Sequence, residues 1–246
     1  MSEANITPLI IADMSCDKRG YTDSHCHILP GIDDGAKDVE TSLEIASRLI
    51  ELGFDTVVAT PHYYNHREPV EEFLKRRNTC FEAMSFPDRL KVIPAAEVAL
   101  ENGVSKKCDL QKLIVPGTDR ILVELPMKKY SRDIPEELFD IKFRHGLVPV
   151  IAHFERYESL FSDENYSDIL SLDGLVFQVS LFSLAKMKHR KFFKSLYNTG
   201  VEIVTGTDAH KIDFRVSDSV KGIKKLRKLV GDDCERILRC EALALN

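Results

Sequence analysis

From Thr56 onward, short apolar runs alternate with amphipathic or charged stretches, and this alternation admits few folds. Thr56 to Thr60, Lys91 to Ala95, Ile121 to Leu125, P-V-I-A-H-F, L-V-F-Q-V-S and E-I-V-T-G-T-D-A-H read as buried strands. Between them fall helical patterns: Asp38 to Gly53, then about Glu68 to Met84, Pro135 to Arg144, Asn165 to Leu172 and Leu184 to Tyr197. Two further helices, Val220 to Val230 and Cys234 to Leu243, follow. With a strand around His25, the total is about seven strands, the α/β pattern of a parallel sheet rolled into a barrel. A length of 246 residues suits one such unit, since barrels of about 250 residues form single domains. Residues 1–20 carry no clear period and read as an arm ahead of a domain over 21–246.

Composition narrows the function classes. Apolar residues make up 43% and charged residues 30%, which fits neither a disordered nor a membrane-embedded chain. No run approaches the roughly 20 apolar residues needed to cross a bilayer. The N-terminal residues lack a basic region ahead of the short apolar run Leu9 to Ala12, so the chain reads as cytoplasmic, without membrane insertion. Cys16, Cys26, Cys80, Cys108, Cys234 and Cys240 show no C-x-x-C spacing, as expected of free thiols rather than a zinc knuckle or disulfide scaffold. A formal charge of −5 argues against nucleic acid as a partner.

The stretch hardest to explain as packing is D-S-H-C-H-I-L-P-G-I-D-D-G, Asp23 to Gly35. Side chains alternate along a strand, so His25 and His27 project together while Cys26 points behind them. Pro30-Gly31 then breaks the run, and Asp33, Asp34 and Gly35 form a loop able to bring a carboxylate back over the histidines. Other metal-competent residues fall at or beyond the ends of expected strands: His62, Glu97, Glu124, His153, Asp208 and His210. Active sites of parallel barrels are built on that rim.

Each of these residues alone has a bland explanation, a helix cap for His62 or a core histidine for His153. Glu124 inside V-E-L is harder to dismiss, because a buried carboxylate needs a cation. His25, His27, Asp34, His62, Glu97, Glu124, His153, Asp208 and His210 are too many ligands for one ion, so bridging carboxylates and two or three ions are expected. Nitrogen and oxygen donors without thiolate suit manganese, iron or zinc. Arg156 and Arg215, just after His153 and His210, are natural anion forks. His66, His145 and His189 sit in polar contexts and read as surface residues. No cysteine has an arginine six positions on, and neither a G-x-S-x-G elbow nor a phosphate loop is present. Activated water is the remaining nucleophile.

In order and spacing, H-C-H-I-L-P-G-I-D-D-G, V-A-T-P-H, V-E-L-P, I-A-H-F-E-R-Y and T-D-A-H followed by Arg215 resemble the polymerase-and-histidinol-phosphatase (PHP) superfamily. More narrowly, they resemble its bacterial manganese-dependent protein-tyrosine phosphatases of capsule and exopolysaccharide loci. The resemblance implies a distorted TIM-like (β/α)7 barrel of the PHP fold and three divalent ions, manganese first, with iron or zinc as alternatives. The implied substrate is the phosphotyrosine tail of a bacterial tyrosine autokinase. It also implies that the nine residues above are ligands, that Arg156 and Arg215 bind phosphate, and that Asp208 has a catalytic part. Tyr63 stands where the family has a second histidine, a departure expected to affect the substrate entrance, and Phe154 replaces a proline. Rival readings are a histidinol-phosphate phosphatase, a barrel-type nuclease and a non-catalytic adaptor.

Overall fold

The computed structural model describes residues 20–245; the expected arm therefore lies almost wholly outside the described residues. Nine strands run in the order β1 Tyr21–Cys26, β2 Phe54–Ala59, β3 His62–Tyr63, β4 Lys91–Pro94, β5 Glu97–Ala99, β6 Arg120–Glu124, β7 Val148–Ile151, β8 Val176–Ser180 and β9 Glu202–Gly206. All their pairings are parallel. The helices are α1 Val39–Glu51, α2 Val70–Glu82, α3 Val104–Lys107, α4 Asp133–His145, α5 Asp163–Leu170, α6 Met187–Asn198, α7 Phe214–Val230 and α8 Cys234–Leu238.

Two strands are broken rather than separate. Thr60-Pro61 kinks the chain between β2 and β3, because proline cannot donate to a ladder, and Ala95-Ala96 marks the matching break between β4 and β5. Backbone bonds from Ala95 N to Ala59 O (2.8 Å) and Glu97 N to Pro61 O (3.0 Å) carry the pairing across both breaks. The ring closes where β1 meets the end of β9, through Asp208 N to His25 O (2.8 Å) and His27 N to Ala209 O (3.0 Å). The result is the distorted seven-stave barrel expected from the alternation.

Helix signals in the sequence act as expected. Asp38 caps α1 by accepting from Thr41 N at 2.8 Å, and Ser42, Ile45, Ala46 and Leu49 bury its inner face. The last two helices differ from expectation. α7 begins at Phe214, so Arg215 lies in its first turn, and the segment from Cys234 divides into α8 and a 3-10 turn at Glu241–Leu243.

Period two sorts the side chains into two cores. Val57, Val123, Ile151, Phe177 and Ile203 pack outward against the helices. Val58, Ile93, Leu122, Val150, Val176 and Val204 form a second cluster inside the barrel, joined by Cys240 and Leu243. Glu124 lies two residues beyond Leu122, and so on the same inward face. Apolar layers therefore fill the barrel beneath the rim, and polar chemistry begins where they stop.

Candidate metal centre

At the rim, β1 turns His25 and His27 into one space, with Nε2 atoms 3.1 Å apart. Cys26 faces the other way and contacts Ala209 O, as the strand period requires. Glu97 at the start of β5 lies between the rings. Its Oε2 is 3.2 Å from His25 Nε2, 3.3 Å from His27 Nε2 and 3.0 Å from His62 Nδ1, while Oε1 is 3.1 Å from His153 Nε2. Asp208 closes the group, with Oδ1 3.6 Å from His25 Nε2 and 3.5 Å from His27 Nε2.

Two further groups adjoin the first. Glu124 Oε1 is 3.4 Å from His153 Nε2, and its Oε2 is 4.0 Å from His62 Nδ1. Asp34 Oδ1 is 3.5 Å from His62 Nε2 and 3.4 Å from His210 Nε2. The structure thus brings all nine predicted residues together: seven form overlapping clusters that share His27, His62 and Glu97, and His153 and Asp208 adjoin them. They differ in setting. Glu97 and His25 are fully buried, whereas 74% of the Asp34 side chain is exposed, and Glu124 is half-buried at a strand end rather than enclosed.

The donor set fits divalent cations. Glu97 Oε2 is buried with no hydrogen-bond donor on it, although three histidine nitrogens surround it. Burial alone would push Glu97 and Asp208 up, but neighbouring histidines hold Glu97 well below the usual carboxylate range, and His27, His25 and Arg156 do the same for Asp208. In the metal-free chain, positive charge must come from protonated histidine. Burial lowers His153, but its contacts with Glu124 and Glu97 raise it to about 9. His210 goes the other way, pressed down to about 4 by burial and by the charge on His27. Buried carboxylates that draw protons onto imidazoles are placed to bind cations instead.

Behind the donors stands a set of residues the sequence reading left unassigned. Asp33 Oδ2 lies 2.7 Å from His27 Nδ1 and also accepts from His62 N, while Oδ1 accepts from Gly35 N. Gln178 Oε1 is 3.1 Å from His25 Nδ1 and accepts from His153 N at 2.5 Å, steadying His153 in its left-handed backbone (φ 33°). Asp23 accepts from Thr207 N, Thr207 Oγ1 and His25 N, and burial pushes it up to about 6 against those bonds. Two glycines permit the close approach: an added Cβ at Gly35 would meet His27 O at 2.4 Å, and one at Gly206 would meet His25 Cβ at 2.7 Å.

Arg156 and Arg215 converge on Asp208. Arg156 Nη2 pairs with Asp208 Oδ2, and Arg215 Nη1 donates to Asp208 O at 3.2 Å while its Nε, buried without a partner, lies 3.9 Å from Oδ2. His66, His145 and His189 are engaged elsewhere, with Glu101, Ser105 O and Glu158 respectively.

The model of the family described as capsular polysaccharide synthesis, CpsB/CapC, matches residues 21–244. The chain belongs to this family. Among CpsB/CapC relatives, it is 29% identical over 225 residues to the tyrosine-protein phosphatase YwqE of Bacillus subtilis (strain 168), covering 88% of this chain and 87% of that one. It is 27% identical over 206 residues to the tyrosine-protein phosphatase CpsB of Streptococcus agalactiae serotype III (strain NEM316), covering 78% and 84%. A chain from the crystal structures of YwqE from Bacillus subtilis and CpsB from Streptococcus pneumoniae, described there as metal-dependent tyrosine phosphatases, aligns with a TM-score of 0.73. That alignment covers 90% of this chain and 93% of the other at 28% identity.

Both departures noted in this CpsB/CapC sequence face away from the centre. Tyr63 is fully buried, packs on Phe73 with ring centroids 5.1 Å apart and donates toward Glu68 O. Phe154 is equally buried, 4.7 Å from Phe177 between ring centroids, in the outer core. Tyr64, the next residue, has its ring centroid 5.5 Å from that of His62.

Proposed function

We propose that the chain is a metal-dependent phosphotyrosine phosphatase, acting in the cytoplasm on the phosphorylated tail of a bacterial tyrosine autokinase in capsule or exopolysaccharide synthesis. The observation that carries this reading is the position of Asp208. One carboxylate faces His25 and His27 through Oδ1 and the two arginines through Oδ2, so an anion held by Arg156 and Arg215 would lie against the histidine–carboxylate cluster. The CpsB/CapC relationship and the curated names of the relatives support the tyrosine-phosphatase assignment.

His25, His27, Glu97 and Asp208 would hold one ion, Glu97, Glu124, His62 and His153 a second, and Asp34, His62 and His210 a third. Manganese is the first choice for this nitrogen and oxygen set. Such ions make water acidic enough to ionise near neutral pH and neutralise charge on phosphoryl oxygens. Glu97 would bridge two positions and fix their spacing. Arg156 and Arg215 would bind equatorial phosphoryl oxygens and oppose charge as it grows. Asp208 would hold both guanidinium groups in place. As the water oxygen bonds to phosphorus, the bond to the tyrosyl oxygen breaks; the proton given up by the water is balanced by one taken from solvent by the departing oxygen, giving tyrosine and inorganic phosphate.

The test is manganese-dependent phosphate release from a tyrosine-phosphorylated peptide, beside histidinol phosphate and single-stranded DNA. The expected result is chelator-sensitive turnover of the peptide well above the other two. Faster turnover of histidinol phosphate or cleavage of DNA would overturn the assignment in favour of that substrate.

A further inference from the structure

A groove of about 580 Å³ opens beside the metal centre, and Glu124 belongs to both. Its floor is apolar, built from Leu100 after β5, Leu125 after β6 and Ile134 in α4, with Met127 standing over it 53% exposed. Two of the four carboxylates in its lining are engaged by groups beside the groove. Glu101 pairs with His66, and Glu137 accepts from the backbone N–H groups of Gly103 and Ser105. The groove therefore presents apolar surface to an occupant, with Glu124, Lys128 and Asp133 also in its lining.

Tyr64 forms the boundary between the groove and the metal centre. Its ring centroid lies 5.5 Å from that of His62, and the Arg67 guanidinium sits 4.0 Å from the Tyr64 centroid. A cation over one face pins the ring as a preformed aromatic wall beside the metal centre. A small phosphate ester needs only the metal centre and the arginines. An apolar groove continuous with that centre has a further use only if the leaving group is part of something larger.

We propose that this groove seats an apolar side chain of the polypeptide flanking the phosphotyrosine, with Tyr64 against the phenyl ring, so that the chain selects phosphotyrosine within a polypeptide context. The inference rests on the phosphatase reading above. An apolar neighbour gains affinity by leaving water, and glycine in its place does not.

The metal-loaded full chain is assayed with phosphotyrosine peptides carrying leucine or glycine beside the phosphotyrosine, and with p-nitrophenyl phosphate. Leucine peptides are expected to exceed glycine peptides about tenfold in kcat/KM, chiefly through KM, the size of one side chain's burial. In Met127→Glu the kcat/KM ratio of leucine peptide to p-nitrophenyl phosphate is expected to fall about tenfold, whereas Tyr64→Ala is expected to lower kcat/KM for both phenyl esters and leave the ratio in place. Met127 is exposed, so its replacement leaves the core intact. Equal kcat/KM for leucine and glycine peptides, or an unchanged ratio in Met127→Glu, would overturn the groove's role. Turnover of neither substrate class would instead overturn the phosphatase reading on which it rests.

Discussion

Asp33 holds His27 from behind: its Oδ2 lies 2.7 Å from Nδ1, while Nε2 of the same ring turns toward Glu97 at 3.3 Å. The pair fixes the tautomer that leaves Nε2 free to bind a cation, and the carboxylate makes the imidazole a better donor. Asp33→Asn is therefore expected to lower metal affinity by about 10- to 100-fold without removing a ligand. Metal titration of stripped protein checks this. Affinity equal to wild type would show the contact to be incidental.

Gln178 serves two donors at once, with Oε1 on His25 Nδ1 and on His153 N. Gln178→Leu keeps the approximate volume but leaves the buried His153 N–H unpaired, an expected loss of about 1–3 kcal/mol in unfolding stability. Metal affinity should fall as well. Gln178→Glu retains oxygen acceptors and is expected to recover part of that affinity. Denaturant unfolding and metal titration on both variants separate the two effects.

At Gly35 the limit is steric. A methyl group there would sit 2.4 Å from His27 O and 2.5 Å from His27 Cβ, so the Asp33-Asp34 loop could not fold back onto β1. Gly35→Ala should cost about 1–3 kcal/mol in stability and weaken metal binding together with it. A variant with wild-type stability and metal content would contradict this reading of the loop.

The metal-stripped protein should also lose stability on the alkaline side. His153 is raised from 6.5 to about 9 in the folded chain by Glu124 and Glu97. A raised folded value stabilises fully below the unfolded value and is lost as pH climbs through the folded one, here between 6.5 and about 9. Melting temperatures of stripped protein should fall across that window, while metal-loaded protein, in which a cation replaces the proton, should hold steady. Parallel curves for the two forms would be the contrary result.

Much of this was legible in the sequence because strand period and strand ends are local properties. Glu97, Glu124 and His153 could be placed on one rim from the alternation alone. The period also carried the answer for Tyr63: if His62 faces inward, its neighbour faces the helices. Other features depended on long-range geometry. Asp33 and Asp34 are chemically identical neighbours, and only the fold of the loop decides that one orients His27 while the other reaches His62 and His210. Gln178 was visible as a polar residue inside L-V-F-Q-V-S, but its partners His25 and His153 lie 153 and 25 residues away. Arg215 was expected after T-D-A-H, yet its place in the first turn of α7 follows from where that helix packs.

The central claim is that one histidine–carboxylate cluster both holds metal and hydrolyses phosphotyrosine, and Asp208→Asn tests it most directly. Asparagine tolerates the left-handed backbone at this position (φ 52°), so the substitution removes charge while keeping the turn. Bound metal and phosphate release from a phosphotyrosine peptide are measured on the same preparations of wild type and variant. Wild type is expected to carry metal and release phosphate, with both lost or sharply reduced in a variant that remains folded. Phosphate release at the wild-type rate from folded Asp208→Asn would contradict the assignment of this cluster as the reaction centre.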